Sequence, residues 1–377
     1  MPEIMIISGE ASGDLHGSRL VGAIKKIAPQ YHFCGMGGSE LRKQGVEILV
    51  DAAQMAVVGI VEVLAHLKDI RAAMKTLEKR LRQKRPGLLI LIDYPDFNLI
   101  LAAKARKLGI PIFYYISPQV WAWRSSRVKK IRRLVDRMVV ILPFEKKFYA
   151  DHGMKVDFVG HPLMDSITTT MSRNEFLAGY DIPANRTLVG ILPGSRRKEI
   201  RSMLPIFLEA ARQLTLAGKN PFFLLPLAPS LQENDLLENG LAQCDLDIKI
   251  IRENRYDLMA ACDLALAASG TVTLELAILA VPMVVSYRVS WLSYQIGHRL
   301  IKVKYASLVN LIADSPLIPE LLQYEATPEK IARKLLGLWP GTAAGEELLQ
   351  QIAEVRKQLG SPGASERVAR LALATCA

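Results

Sequence analysis

The chain has 377 residues and half of them are hydrophobic, which is long for a single core and ample for two domains. Its four cysteines form no Cys-x-x-Cys pair and match no histidine cluster, so neither a disulfide framework nor a metal site is expected. The formal charge of +11 favours an anionic partner, and without a nucleic-acid-binding motif we expect a phosphorylated small molecule or an acidic lipid surface.

Strand-like apolar runs alternate with helical patterns, which predicts parallel sheets with crossover helices. In chain order, the strands predicted for a first domain are residues 3–8, 31–35, 87–93, 111–116, 137–142 and 156–159. A polar stretch at 165–186 follows, and the strands predicted for a second domain are 187–192, 221–226, 247–251, 263–267 and 281–287. The run 88–92 is apolar without alternation, as is typical of a strand covered by helices on both faces.

The predicted fold class is therefore α/β, with two Rossmann-like doubly wound domains that face a central cleft. We expect an N-terminal domain at 1–168, a C-terminal domain at 169–345, and C-terminal helices at 346–377, for which packing back on the N-terminal domain is one alternative. No strand is predicted after residue 287. No basic leader precedes the first strand, and no apolar run reaches the roughly 18 to 20 residues that span a bilayer, so neither export nor a membrane span is expected.

Two glycine-rich turns, one in each half of the chain, follow a predicted strand and open a helix. They are S-G-E-A-S-G-D at 8–14 and L-P-G-S-R-R-K-E at 192–199. Glycine lets backbone N–H groups approach a ligand closely, and the N-terminus of the next helix attracts anions. The second turn adds Ser195 and Arg196, which suit a diphosphate, although a solvated basic turn is the alternative. In the first turn, Asp14 as an ordinary helix cap is the alternative to a ligand contact.

Asp93 directly follows the apolar run 88–92, at the edge where doubly wound sheets bind ligands, and is therefore a candidate general base. The alternative is that Asp93 or Asp96 caps the helix that begins near Asn98.

A third polar turn, S-G-T-V-T-L-E at 269–275, follows a predicted strand and opens a helix, and Glu275 lies one turn into that helix, where its carboxylate suits a ribose diol. The alternative is a helix capped by Thr271, with Glu275 complementing the helix dipole.

Seven segments, taken in order, resemble the lipid-A-disaccharide synthase family over nearly the whole chain. They are 8–14, D-Y-P-D-F-N at 93–98, S-P-Q-V-W-A-W-R at 117–124, L-P-F-E at 142–145, G-H-P at 160–162, 192–196 and 269–275. The resemblance implies an inverting, metal-independent glycosyltransferase of the two-domain B type that needs no cofactor. It would join UDP-2,3-diacylglucosamine to 2,3-diacylglucosamine 1-phosphate (lipid X) by a β-1,6 bond and release UDP. Another UDP-N-acetylglucosamine transferase or 2-epimerase of this fold, or a non-catalytic peripheral nucleotide-binding protein, are the alternatives.

The resemblance also implies roles for individual residues. Asp93 would take the proton of the acceptor 6-hydroxyl. The donor UDP would be bound by Gly194, Ser195, Arg196, Ser269, Gly270, Thr271, Glu275 and Asn310, and Val309 stands where the family usually has proline. The acceptor would be bound by Glu10, Ser12, Asp14 and Arg124.

Both implied substrates carry acyl chains, so an anionic membrane surface is the expected partner, with the chain peripheral to the inner face of the inner membrane and no nucleic acid bound. The expected membrane contact is Met55, Val57, Val58, Ile60 and Val61. From residue 60 to 85, apolar residues recur at helical spacing beside basic ones, which indicates either an interfacial helix or an ordinary crossover helix. A second basic cluster, at 124–133, could add attraction to anionic lipid.

Overall fold

The structure is a computed structural model that describes residues 2–54, 67–289, 294–295 and 303–376. It divides into a first unit, Met1–Asp165 with Leu359–Ala377, and a second unit, Ser166–Gln358. The tail beyond residue 345, expected to form one region, is therefore shared between the two units.

The first unit contains the amino-terminal sheet. Its strands within the described ranges are β1 (Glu3–Ser8), β2 (His32–Gly37), β3 (Glu47–Asp51), β4 (Leu88–Ile92), β5 (Ile112–Tyr115), β6 (Arg137–Val140) and β7 (Asp157–Phe158). They lie in the order β3-β2-β1-β4-β5-β6-β7, and the pairs are parallel. The helices are α1 (Ala11–Ile27), α2 (Ser39–Lys43), α3 (Leu67–Lys84), α4 (Pro95–Lys107), α5 (Val120–Trp123), α6 (Arg127–Leu134), α7 (Pro143–Asp151) and α8 (Leu163–Ser166).

The second unit repeats this architecture. Its described strands are β8 (Leu188–Leu192), β9 (Phe222–Pro226), β10 (Ile248–Ile251), β11 (Leu264–Ala268), β12 (Met283–Tyr287) and β13 (Glu320–Leu322), in the parallel order β10-β9-β8-β11-β12-β13. The helices are α9 (Arg173–Gly179), α10 (Arg197–Leu216), α11 (Glu233–Leu237), α12 (Arg255–Ala261), α13 (Val272–Ile278), α14 (Leu308–Ala313), α15 (Pro328–Gly337) and α16 (Ala343–Gln358). A last helix, α17 (Ala364–Leu373), belongs to the first unit.

Both faces of the first sheet are buried, which explains the unbroken apolar runs. Alternate residues of β4 pack into two different hydrophobic clusters, one on each face of the sheet. Leu89 packs in the first cluster, and Leu88 and Ile90 pack in the second. Helix α17 contributes Val368 to the second cluster, beside Val21 of α1. The predicted class of two doubly wound α/β domains is thereby confirmed.

All the predicted strands are present, but two further strands were missed. Strand β3 carries polar residues at both ends and is only half-buried at the edge of its sheet, so its apolar signal is short. Strand β13 has three residues and also lies at an edge. The expectation of no strand after residue 287 is therefore wrong, because an edge strand needs little apolar sequence.

Candidate functional site

The strand order reverses between β1 and β4 in the first unit and between β8 and β11 in the second. Open α/β sheets bind ligands beyond the carboxyl ends of the strands at such points. The strand register pairs Ser8 with Ile92 and Leu192 with Ala267. The turn that carries Asp93 therefore leaves the first sheet beside the turn after β1, and the two predicted donor turns leave the second sheet side by side.

Asp93 stands on a strained turn at the end of β4. Asp93 and Tyr94 have φ angles of 43° and 42°, a left-handed conformation that costs a non-glycine residue of order 1–3 kcal/mol. The Asn98 side-chain amide holds this turn by donating to the carbonyls of Ile92 (3.2 Å) and Asp93 (2.7 Å). The hydroxyl of Tyr114 also donates to the Asp93 carbonyl.

The capping alternative for this segment is not observed. In the described part of the chain no side chain caps α4, whose N-terminal flanking residue is Tyr94. Asn98 is buried and bonded to the turn, while Asp96 is exposed. The carboxyl of Asp93 is thus not used as a helix cap.

The surroundings of Asp93 favour its neutral form. Burial raises the pKa of Asp93 to about 6, the negative charge of Glu10 acts in the same direction, and the N–H of Tyr94 opposes both. The Tyr94 ring covers Gly9, where a Cβ atom would come within 2.5 Å of the ring. A carboxylate with a raised pKa is a stronger proton acceptor than an ordinary one, provided that the pH keeps it ionised.

The predicted acceptor residues of the first turn differ in burial. Glu10 and Ser12 are exposed, but Asp14 is buried. The Asp14 carboxylate accepts hydrogen bonds from three backbone N–H groups at the start of α2, those of Gly38 (2.7 Å), Glu40 (2.9 Å) and Leu41 (3.4 Å). In the structure Asp14 thus caps the start of α2, and its predicted contact with the acceptor stays a prediction.

The fourth predicted acceptor residue, Arg124, is exposed just after α5. Its guanidinium lies 4.2 Å from the ring centroid of Trp123 and 3.7 Å from the carboxylate of Asp96.

The second unit contains a cavity of about 510 Å³ at its switch point. It is lined by most of the predicted donor residues: Gly194, Ser195, Arg196, Ser269, Gly270, Thr271 and Glu275. Pro226, Leu227, Arg252, Asn254, Arg255, Met259 and Tyr287 also line it and were not predicted. The cavity thus combines arginines, backbone turns and apolar side chains, which suits a nucleotide.

Glu199 was not predicted to take part in this site. Its carboxylate accepts hydrogen bonds from the N–H groups of Ser195 (2.8 Å) and Arg196 (3.2 Å) and from the Arg196 guanidinium (3.2 Å). Gly194 has a φ of 119°, and a Cβ atom there would lie 2.4 Å from the Glu199 carboxylate. Glu199 is the third residue of α10, where an acidic side chain complements the helix dipole, and this position was the available sequence signal.

Glu275 is buried in the cavity wall and forms an ion pair with Arg255. Burial raises the pKa of Glu275, whereas Arg255 and the Tyr256 hydroxyl oppose that rise. The Arg255 guanidinium also lies 4.7 Å from the Tyr256 ring centroid. Because Arg255 and Glu275 are 20 positions apart, their pairing has no local sequence signal.

Asn310 does not line the donor cavity. Its buried side-chain amide donates to the Ile318 carbonyl (2.9 Å) and the Glu320 carboxylate (2.7 Å), and its oxygen accepts from the Ile318 N–H (2.8 Å). These bonds fix α14 to the segment before β13. In the structure Asn310 thus has a structural role, and its predicted contact with UDP stays a prediction.

The predicted membrane contact, Met55, Val57, Val58, Ile60 and Val61, lies outside the described residues. In the described helix α3, Ala73, Leu77 and Leu81 pack in the core, and the basic side chains on the other face are exposed. This is the arrangement of a crossover helix. Across the described ranges, no helix combines the length and apolar character that crossing a membrane requires.

Comparison with known proteins identifies the family. Residues 4–374 match the lipid-A-disaccharide synthetase family. The lipid-A-disaccharide synthase of Geobacter sulfurreducens is 48% identical over 370 residues, which cover 98% of this chain and 96% of that protein. The synthase of Nitrosococcus oceani is 46% identical over 374 residues, which cover 99% and 96% respectively.

A solved structure shows the same fold at low identity. The crystal structure of MurG from Acinetobacter baumannii superposes with a TM-score of 0.63 at 15% identity and covers 99% of both chains. This similarity indicates the two-domain glycosyltransferase B fold and no more. By its nearly full-length match and its 46–48% identical relatives, the chain belongs to the lipid-A-disaccharide synthase family.

Proposed function

We propose that this chain transfers 2,3-diacylglucosamine from its UDP derivative to the 6-hydroxyl of 2,3-diacylglucosamine 1-phosphate, forming a β-1,6 bond and releasing UDP. Family membership over nearly the whole chain supports the reaction. The observation that carries the chemistry is the carboxyl of Asp93, held on a strained turn at the ligand-binding edge with its pKa raised to about 6.

In this proposal Asp93 accepts the proton of the acceptor 6-hydroxyl while that oxygen attacks the anomeric carbon. The bond from the anomeric carbon to the diphosphate breaks in the same displacement, and its electron pair leaves with UDP. Configuration at the carbon therefore inverts. The step requires ionised Asp93, so activity is lost as the pH falls through about 6.

The leaving diphosphate requires fixed positive charge and donors. Glu199 accepts hydrogen bonds from the N–H groups of Ser195 and Arg196, so the Ser195 hydroxyl is the group of that residue left for the phosphates. The Arg196 guanidinium donates to Glu199 through Nη1 only, and its remaining N–H groups can bind the phosphates. The N–H groups of Gly270 and Thr271 have no hydrogen-bond acceptor among the described residues. We assign these four groups to the diphosphate.

We assign to Glu275 the binding of the two hydroxyls of the UDP ribose. Its carboxylate lines the cavity, and the Arg255 ion pair favours its charged form. A carboxylate accepts hydrogen bonds from both hydroxyls of a diol without a competing donor of its own.

The membrane contact is assigned to residues 55–61 together with the exposed basic residues of α6, on the inner face of the inner membrane. Lys129, Lys130, Arg132 and Arg133 are all exposed. Co-flotation with vesicles that contain anionic lipid, weakened by salt, would support this assignment. Equal binding to neutral vesicles at all salt concentrations would contradict it.

The reaction is tested by UDP release from the purified chain in mixed micelles. We expect release only when both acylated sugars are present. Asp93→Asn should abolish release while UDP binding, measured by calorimetry, is retained. Asp151→Asn is the matched control, because Asp151 is an exposed carboxylate of the same unit. Unchanged release by Asp93→Asn would remove Asp93 as the base, and equal turnover of unacylated UDP-N-acetylglucosamine would refute the lipid donor.

A further inference from the structure

Apart from Arg124, a predicted acceptor residue, no residue of the two motifs at 117–124 and 142–145 has a part in the proposed chemistry. The structure joins them through Glu145, which is 1% exposed. Its carboxylate accepts hydrogen bonds from the N–H groups of Leu142 (3.0 Å) and Ile141 (3.3 Å) and from the indole of Trp121 (3.2 Å). A buried carboxyl with three donors is a costly feature that fixes a particular geometry.

Other contacts of the same two motifs hold α5 in place. The Trp121 ring packs edge-on against Phe144, with centroids 5.0 Å apart and planes at 88°. The Ser117 hydroxyl lies 2.7 Å from the hydroxyl of buried Tyr149. The one-turn helix α5 is thus held through Trp121 and through Ser117, which precedes it, although four residues alone cannot form a stable helix.

The fixed segment carries two arginines to one carboxylate. Arg127 donates to Asp96, and Arg124 lies 3.7 Å from the same carboxylate. The Asp96 side chain is 75% exposed, whereas that of Arg127 is only 18% exposed. The Trp123 ring, itself 43% exposed, supports the Arg124 guanidinium. Two oriented guanidiniums therefore flank one exposed anion in the first turn of α4, three residues after Asp93.

An exposed carboxylate is a weak partner for two guanidiniums, because solvent screens exposed ion pairs. A phosphate monoester has more charge and more acceptor oxygens, and arginine forks bind it bidentately. The pair is preorganised, because Arg124 directly follows α5, which Glu145 holds through Trp121, and Arg127 is only 18% exposed and bonded to Asp96. A phosphate monoester is therefore expected to compete with the Asp96 carboxylate for these guanidiniums.

We propose that Arg124 and Arg127 form the subsite for the phosphate monoester of the acceptor sugar, with Asp96 as the counter-ion that the phosphate replaces. Glu145 is a positioning residue for this subsite and acts through Trp121. The inference rests on the proposed function, because that reaction brings a sugar 1-phosphate to the first unit.

The test compares lipid X with the same diacylated sugar lacking its phosphate. Wild-type chain is expected to have a higher kcat/KM for lipid X. Arg127→Gln and, separately, Arg124→Gln should reduce that preference about tenfold or more, the loss expected when a charge-assisted hydrogen bond is removed. Arg106→Gln is the matched control and should keep the preference, because Arg106 pairs with Asp136 and is 50% exposed.

The results distinguish failure of the subsite from failure of the reaction. If wild-type chain releases UDP and prefers lipid X, but both arginine variants keep the full preference, the subsite is refuted. If the wild-type chain releases no UDP with lipid X and none with the dephosphorylated sugar, the proposed function itself fails. A loss of anionic-vesicle binding that parallels the lost preference would assign the arginines to phospholipid headgroups instead and overturn the inference.

The positioning role has its own readout. Trp121→Phe removes the indole donor but keeps an aromatic ring, and it should raise KM for lipid X severalfold while leaving UDP affinity and kcat with dephosphorylated acceptor unchanged. Glu145→Gln should behave similarly, with partial retention because the amide oxygen still accepts hydrogen bonds. Equal changes for both acceptors would refute a role specific to phosphate.

Discussion

Asp93→Asn is expected to stabilise the first unit while it abolishes transfer. Burial and the charge of Glu10 raise the pKa of Asp93 from 3.8 to about 6, a difference that corresponds to about 3 kcal/mol in favour of the neutral form. Because the pKa in the folded state is the higher one, the ionised carboxylate penalises folding as the pH rises from 3.8 through about 6. Asparagine has a similar shape and no charge, so it removes this penalty.

The magnitude therefore depends on pH in a defined way. At pH 8 the variant should unfold with a free energy up to about 3 kcal/mol higher than that of the parent chain. Near pH 4 most of the gain should vanish, because the carboxyl is then largely neutral in the folded state and about half neutral in the unfolded state. The gain is an upper value, since Asp93 is not fully enclosed.

Urea unfolding followed by circular dichroism at both pH values measures the effect, with Asp151→Asn as the exposed control. The control should show no gain at either pH. Equal stability of Asp93→Asn and the parent chain at pH 8 would refute the argument that burial of the charge raises the pKa. A gain of the same size at pH 4 would assign the effect to packing instead of charge.

Further substitutions test other contacts. Glu10→Gln should move the acid limb of the kcat/KM profile below pH 6, because it removes a negative charge near the base. Arg196→Ala should weaken UDP binding about tenfold by calorimetry. Arg255→Gln should lower the melting temperature and the UDP affinity together, because Glu275 is left buried without its ion pair. Burial and a neighbouring histidine lower the pKa of His161 to about 3, so stability should fall as the pH drops from about 6.5 toward 3, and His161→Asn should reduce that loss in urea titrations.

Much of the fold was predictable because both sheets are covered on both faces. An interior strand such as 88–92 must then be apolar at every position. Such an apolar run can be identified in the sequence without knowing which strands pair with it. Edge strands face fewer neighbours and need less apolar sequence, so Glu47–Asp51 and Glu320–Leu322 gave no comparable signal. Every interior strand among the described residues was thus predictable, and the two missed strands lie at sheet edges, although the edge strands β7 and β10 were predicted.

The candidate site also has a part that the sequence predicts and a part that it does not. The glycine turns and Asp93 were predictable because their place follows from the strand before them. The partners of Asp14 and Glu275 were not, because they lie 24 and 20 positions away in the chain. Asp14 and Asp93 are both acidic residues near a strand end, and only the tertiary structure shows that one caps a helix and the other does not.

The shared topology fixes where each site lies but not its charge. In the first unit the switch-point turns bring the carboxylates of Glu10 and Asp93 near one another, which raises the pKa of the base. In the second unit the corresponding cavity is lined by Arg196, Arg252 and Arg255. Exchanging these charges would lower the pKa of the proposed base and repel the diphosphate. The residues of the turns, and not the sheets beneath them, therefore give the proposed base and the proposed diphosphate site their different charges.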